Sequence, residues 1–505
     1  MKKLAMLTLS GFLYAACAHA APPTGGYIVE SSPDMPGFTR IVVSKDKTGY
    51  SGYVTSRWYG DLPMKDIYIE GDSLSFHLFN GNMRVPEYPI RITPAKDGGV
   101  RMEGRIWDSS FDLSAYPGDA AQLKALDFPL EHLPPHRVVK GVYHAKTPPM
   151  GWSSWNKFAD TIDDRTVREI ADAMVSSGLR DAGYVYVNID DGWQGERDAN
   201  GVLQPNAKFP DMKALADYVH ARGLKLGLYS SPGPKSCAGY AGSYGHIAQD
   251  AKTYAAWSVD YLKYDLCSGE AFYHTRDKVY ATYQQMGEAL AATGRPILYS
   301  LCEYGRFDVG SWGRDVGGSL WRTTGDIEDS YASMAKIGFD KNGIPNHTGL
   351  VNGVSGFNDP DMLEIGNGGM SFDEYKTHMS LWAMMTAPLI LGNDVRTMTP
   401  QTLSLLTNKE IIAVDQDRLG AQGLPAIKDA TSEVWTKKLA DGSVAVGVFN
   451  RADQAAVIHI DWTRLGLMPA AIRDLWAHAD LGLDQASALS LPAHGAAMLR
   501  VRSAG

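Results

Sequence analysis

Between residues 147 and 400 the apolar positions alternate between two periods. Val167, Ile170, Ala171, Met174 and Val175 fall at i, i+3, i+4, i+7 and i+8 and stop at Gly178, the spacing of an amphipathic helix closed by glycine. The run Tyr184–Ile189 then reads as a strand. A second helix is predicted over Met212–Arg222, ending at Gly223, and Leu224–Tyr229 reads as the next strand. Strand-like runs recur at Tyr261–Tyr264, Ile297–Leu301, Leu320–Trp321, around Phe357 and at Leu389–Leu391, spaced one βα unit apart with a shorter step before Trp321. Strands that alternate with helices predict parallel βαβ units. Eight of them fit a (β/α)8 TIM barrel better than a doubly wound sheet.

The flanks have another texture. From Ala21 to Lys140 short alternating runs predominate: Leu74, Phe76 and Leu78 alternate with polar residues before a turn at Asn80-Gly81-Asn82, and Met102–Trp107 alternates less cleanly. A small antiparallel β domain is expected, closed by Leu133-Pro134-Pro135. Near the C-terminus Asp441-Gly442 predicts a hairpin turn between the Trp435 run and Val444-Ala445-Val446, and a closing β-sandwich. The first twenty residues read as a secretory signal: Lys2 and Lys3, an apolar stretch from Leu4 to Ala16, and a small-x-small site at Ala18-His19-Ala20. Cys17 offers a lipoprotein alternative, but Tyr14 is bulky for it, so cleavage after Ala20 is preferred. The expected organisation is therefore a signal at 1–20, an N-terminal β domain at 21–140, a barrel at 141–415 and a sandwich at 416–505.

Composition narrows the partners. A net charge of −9 over 505 residues, with no long basic run, argues against nucleic acid. No apolar run reaches the ~18–20 residues that span a bilayer. Twelve Trp and 25 Tyr suit ring stacking on a sugar, and core packing equally. Without the signal, Cys237, Cys267 and Cys302 remain, which is one pair and one leftover thiol.

Candidate chemistry clusters at the C-terminal ends of the predicted strands, where barrels of this kind place their active sites. Asp190-Asp191 follow strand two, Tyr229 closes strand three, and Lys263 and Asp265 close strand four. Glu303 follows strand five, Arg322 and Asp326 strand six, and Asp361 strand seven. In Asp260–Leu266 the period of two sends Lys263 and Asp265 to one face. Either they form a structural ion pair, or the ammonium holds Asp265 ionised as a nucleophile. Asp326 is the second carboxyl that glycoside chemistry needs, or else a helix cap. Arg322 can hold sugar hydroxyls or orient a carboxylate. The Asp pairs at 190–191 and 359–361 could suggest a divalent metal, but no metal-binding motif accompanies them, so no metal and no organic cofactor is expected. Trp152, Trp155, Trp193 and Tyr229 are candidate faces for stacking on a pyranose, although any single Trp is more often core than site.

Several longer segments carry a resemblance. Thr147–Trp155, Asn188–Trp193, Lys235–Tyr240, Tyr261–Cys267, Leu301–Gly305, Trp321–Asp326 and Asn358–Leu363 are similar to glycoside hydrolase family 27, the α-galactosidases and α-N-acetylgalactosaminidases. The resemblance implies a (β/α)8 barrel followed by an antiparallel β domain. It assigns Asp265 as nucleophile and Asp326 as acid/base, and it places Trp155, Asp190, Asp191, Tyr229, Lys263, Glu303, Arg322 and Asp361 around the sugar. It also pairs Cys237 with Cys267. The strand-five loop is expected to face the 2-substituent, so Glu303 should exclude a 2-acetamido group. Asp190 and Asp191, near C4 and C6, should favour a 6-hydroxyl. Gly192 replaces a cysteine found in many relatives, and Cys302 has no evident partner. The implied activity is a retaining, exo-acting α-galactosidase acting on a galactose-containing oligosaccharide, polysaccharide or glycoconjugate. The alternatives are an α-N-acetylgalactosaminidase, a β-L-arabinopyranosidase, an isomaltose-releasing dextranase or a non-catalytic carbohydrate-binding protein.

Overall fold

The computed structural model describes residues 21–30, 37–57, 60–80, 83–84, 88–106, 109–126, 132–267, 269–270, 272–342 and 356–503. The expected signal with Cys17, the Gly81-Asn82 turn and Trp107 lie outside these residues. The chain divides into two compact units, 1–129 and 130–505.

In the first unit eight strands run antiparallel in sequence order: Gly25–Val29, Phe38–Asp46, Gly49–Ser56, Gly60–Glu70, Ser73–Asn80, Ile90–Pro94, Val100–Ile106 and Ser109–Pro117. The last also pairs with the first, so the sheet closes into a meander barrel. Each of these eight strands is paired on both sides, and the short strand Met83–Arg84 adds to the end of Ser73–Asn80. Leu74, Phe76 and Leu78 are fully buried, as their alternation requires.

The second unit opens with residues 132–140, expected to close the N-terminal domain. They pack instead along a helix of the second unit: the Gln284 side chain donates to the Pro135 carbonyl and Arg137 pairs with Glu288. Eight parallel strands follow: β1 Met150–Ser153, β2 Tyr186–Asn188, β3 Lys225–Ser230, β4 Tyr261–Asp265, β5 Leu298–Cys302, β6 Leu320–Arg322, β7 Phe357–Asp359 and β8 Leu389–Leu391. They pair in the order β7-β6-β5-β4-β3-β2-β1-β8, and a parallel bridge from Leu363 to Leu391 closes the ring. The two predicted helices are α1 Asp164–Ser176, capped by Asp163, and α2 Met212–His220, capped by Asp211. α1 buries Val167, Ile170, Ala171 and Met174, the stripe its periodicity predicted.

Inward-facing positions grade from apolar to charged along the barrel axis. The first residues of five strands, Tyr186, Tyr261, Leu298, Leu320 and Phe357, form one apolar cluster that plugs one end. Two residues on, the same rows read Asn188, Lys263, Ser300, Arg322 and Asp359. Polar groups are thereby confined to the C-terminal mouth.

The C-terminal region forms a six-stranded antiparallel sheet facing a two-stranded one around Val434, Val446, Val448, Trp462 and Leu499. Ser432–Lys438 and Val444–Asn450 form the predicted hairpin, with Gly442 at φ +82° in its turn. Phe339 of the barrel region packs edge-on against Trp435 and Phe449, and the Lys437 ammonium donates to the Ala383 carbonyl at 2.9 Å.

A disulfide joins Cys237 to Cys267, with Cα atoms 5.2 Å apart, while Cys302 is buried and free. Gly192 sits at φ +107°, and a Cβ there would lie 2.9 Å from the Asp160 backbone, so this loop has no room for the cysteine of other relatives. The bridge closes a 30-residue segment. Replacing Cys237 and Cys267 together by Ser lowers unfolding stability by about 3–4 kcal/mol on chain-entropy grounds, measured by denaturant melts. An unchanged midpoint would contradict this.

Candidate active site

The mouth of the barrel is a cavity of about 380 Å³ lined by Trp155, Asn156, Asp190, Asp191, Tyr229, Cys237, Lys263, Asp265, Tyr304, Arg322, Asp326, Asp361 and Met362. Nine of the ten residues expected in the site lie here. A second chamber of about 460 Å³ lies along the barrel interior, sharing Asp190, Lys263, Arg322 and Asp361 and adding Ser153, Asn188, Ser300 and Asp359.

Lys263 is the first anchor. Its direct ion pair is not with its strand neighbour Asp265, on which only its charge acts. Its ammonium donates to Asp190 at 2.9 Å, and Ser153 donates to the same oxygen at 3.3 Å. The inner face of β4 points both side chains into the mouth, but the end of β2 brings Asp190 within reach first. Asp191 turns its oxygens to the backbone N–H groups of Gly192 and Ala238, at 2.9 and 2.8 Å. Burial pushes its carboxyl up to about 6 against these bonds.

Arg322 is the second anchor and is almost wholly buried. One guanidinium nitrogen reaches Asp326 at 2.9 Å and Asp361 at 3.0 Å, and another donates to the Cys302 sulfur at 3.8 Å. The Arg322 Nε is buried without a hydrogen-bond partner. Asp361 adopts φ +84°, a strained conformation for a side-chain-bearing residue. The Ile327 and Met362 N–H groups donate to its carboxylate and the Trp382 indole to its carbonyl. The strain is therefore held by contacts on three sides.

Asp265 is buried and accepts from the Tyr304 hydroxyl at 2.7 Å and the Cys267 N–H at 3.1 Å. Burial raises its pKa; the Lys263 charge and the Tyr304 bond offset part of that, and the Asp326 charge adds to it. Asp326 caps no helix: Ser330 caps the next one, α3 Tyr331–Ala335. Its side chain is 66% exposed at the rim. Burial acts to raise its pKa too, but the charges of Arg322 and Lys263 outweigh it and leave the carboxyl lowered.

One site expectation needs correction. Glu303 does not line the cavity. Asp265 and Cys302 are register partners on β4 and β5, so Cys302 shares the inner face and Glu303 turns outward. One Glu303 oxygen accepts from the Gly305 N–H at 3.0 Å and the other has no partner, and burial pushes its pKa far up. The strand-five residue that reaches the cavity is Tyr304, brought in by a left-handed turn at φ +63° just beyond the inward-facing Cys302. Trp152 and Trp193 are fully buried, donating to the Asn393 and Tyr229 carbonyls, and offer no face to a ligand. Of the candidate tryptophans only Trp155 lines the cavity. Among the described residues no group of three or more His, Cys, Asp or Glu is placed to hold a metal.

The family model described as alpha galactosidase A matches residues 147–417, and that of the alpha galactosidase C-terminal beta sandwich domain matches 429–501. The chain is 47% identical to an alpha-galactosidase of Cyamopsis tetragonoloba over 67% of its own length and 82% of that protein. It is 44% identical to alpha-galactosidase A of Cellvibrio japonicus, over 71% and 92%. The solved alpha-galactosidase I of Mortierella vinacea superposes with a TM-score of 0.68 at 36% identity, over 71% of this chain and 98% of its own. A Bacteroides fragilis structure, 31% identical with a TM-score of 0.68, covers 96% and 99%, so that likeness takes in the N-terminal unit as well. Both matched models and a barrel mouth lined with paired carboxylates lead to one assignment: the chain belongs to the α-galactosidase family, glycoside hydrolase family 27.

Proposed function

We propose that this chain is a retaining, exo-acting α-galactosidase in which Asp265 is the nucleophile and Asp326 the acid/base. The observation that carries the reading is that both carboxyls line one cavity that also holds the cations Lys263 and Arg322, each paired with a further carboxylate. A barrel plugged at its inner end by Tyr186, Tyr261, Leu298, Leu320 and Phe357 suits a terminal sugar rather than a chain passing through.

Asp190, Asp191 and Asp361 accept from sugar hydroxyls, Lys263 and Arg322 donate, and Trp155 offers its indole face. Asp265 attacks the anomeric carbon, and the bond to the glycosidic oxygen breaks as Asp326 delivers its proton there. A galactosyl ester on Asp265 results. Asp326, now ionised, takes a proton from water, whose oxygen attacks the same carbon and releases Asp265, so configuration is retained. Relatives at 44–47% identity that are named α-galactosidases support galactose over the other sugars of the family. Export to an oxidising compartment belongs to the same proposal, and the Cys237–Cys267 disulfide supports it.

The reaction needs one proton on the Asp265–Asp326 pair, and the two titrate together. As pH falls a second proton reaches Asp265 and the nucleophile is lost; as pH rises Asp326 loses its proton and the acid is lost. The rate profile is a bell. Tyr304→Phe removes a donor that favours ionised Asp265, so it raises that pKa and moves the acid limb of kcat, which reports the substrate complex, to higher pH. An unmoved limb would contradict the contact.

The assignment itself is tested by substitution. Asp265→Asn abolishes turnover on every α-galactoside. Asp326→Ala lowers kcat/KM on alkyl galactosides by about 10²–10⁴-fold and much less on aryl galactosides with acidic leaving groups, which need no proton. Equal losses in both variants on the acidic leaving group would overturn the roles.

A further inference from the structure

The chain turns left-handed directly after β5. Four of the five residues from Tyr304 to Asp308 have φ between +54° and +74°, and Tyr304, a bulky side chain at φ +63°, is the first of them. Gly305 is the one residue type its place allows, because a Cβ there would run into the Thr323 carbonyl just beyond β6. This turn aims the Tyr304 hydroxyl at Asp265, 2.7 Å away. Asp265 also feels the charges of Lys263 on its own strand, Asp191 after β2, Glu270 after β4 and Asp326 after β6.

Strain at a residue that touches the nucleophile needs an anchor, and Glu303 supplies one. Glu303 is fully buried and lines neither the sugar cavity nor the inner chamber. Its Oε1 accepts from the Gly305 N–H at 3.0 Å, so a side chain and the backbone two residues on close a ring around Tyr304. Its other oxygen has no partner. A carboxyl costs free energy to bury, whereas leucine would fill the same space freely. What leucine lacks is the acceptor. We infer that Glu303 is a positioning residue for the reaction: it holds the Tyr304 turn, and through that turn the hydrogen bond on Asp265. The inference rests on Asp265 as the nucleophile. Burial raises the Glu303 pKa far above its ordinary value, so the group works as a neutral acceptor and not as a charge.

The test records kcat against pH on methyl α-galactoside, whose poor leaving group makes attack by Asp265 the slow step. Glu303→Leu removes the acceptor, Glu303→Asp withdraws it by one methylene, and Glu303→Gln keeps a neutral acceptor at the same reach. The Leu and Asp variants should move the acid limb to higher pH by the same extent as Tyr304→Phe. They should also lower kcat at the optimum by about two- to tenfold, the worth of one hydrogen bond. Glu303→Gln should keep both at wild-type values. The double variant Glu303→Leu/Tyr304→Phe should match Tyr304→Phe alone, since one contact is lost only once. A merely structural Glu303 would lower kcat at every pH alike and leave the limb in place. That result, or a Glu303→Leu shift that persists undiminished on top of Tyr304→Phe, would overturn the inference. An unmoved limb in Tyr304→Phe itself would overturn the Tyr304–Asp265 contact and the inference with it. Turnover surviving in Asp265→Asn would instead overturn the nucleophile reading beneath both.

Discussion

Two cations buried at the top of a parallel barrel set the terms for everything around them. Lys263 and Arg322 stand on β4 and β6 where neighbouring folds of this kind need only aliphatic side chains, and removing such charges from water costs several kcal/mol each unless they are paired. The fold answers with Asp190 on one, and Asp361 and Asp326 on the other. Each partner comes from a different strand end. This local balance around each cation gathers side chains from four strand ends at the mouth.

That balance also sets the two candidate reactive carboxyls apart. Asp265 sits between the cations without touching either, held by Tyr304 and one N–H, so burial lifts its pKa. Asp326 sits at the exposed rim but in direct contact with Arg322, which lowers it. The empty site thus favours the proton on Asp265, opposite to the order the reaction uses. Under the proposed roles, a bound sugar would bring hydroxyl donors to Asp265 and compete for the Arg322 nitrogen that holds Asp326, and both changes would move the proton toward the leaving group. Substrate binding and acid activation are in this way one electrostatic event.

Much of this arrangement was legible in the residues. Eight strand-like runs with polar residues at their ends located the mouth, and the period of two in β4 put Lys263 and Asp265 on one face. The partners were harder, because sequence distance hides what a closed barrel brings together: Asp190 is 73 residues from Lys263 and meets it only across β3. Glu303 was misread because a charged residue just after a strand looks functional, whereas it turns outward next to inward-facing Cys302, and the left-handed turn at Tyr304, φ +63°, brings that side chain in. Trp152 and Trp193 could be read either way, because composition cannot separate a stacking face from a core, and the structure puts both in the core. The closure of the N-terminal sheet into a barrel was also invisible, since local alternation predicts strands and not whether the first meets the last.

The central claim is a covalent bond from a galactosyl residue to Asp265. Incubation with a 2-deoxy-2,2-difluoro α-galactosyl donor carrying a strong leaving group slows release of the intermediate, because fluorine beside the anomeric carbon disfavours the oxocarbenium-like transition state. Peptide mass spectrometry should then find one sugar adduct, on the peptide containing Asp265, with activity lost in proportion. An adduct on another carboxylate, or full turnover with inverted product and no adduct, would contradict the account.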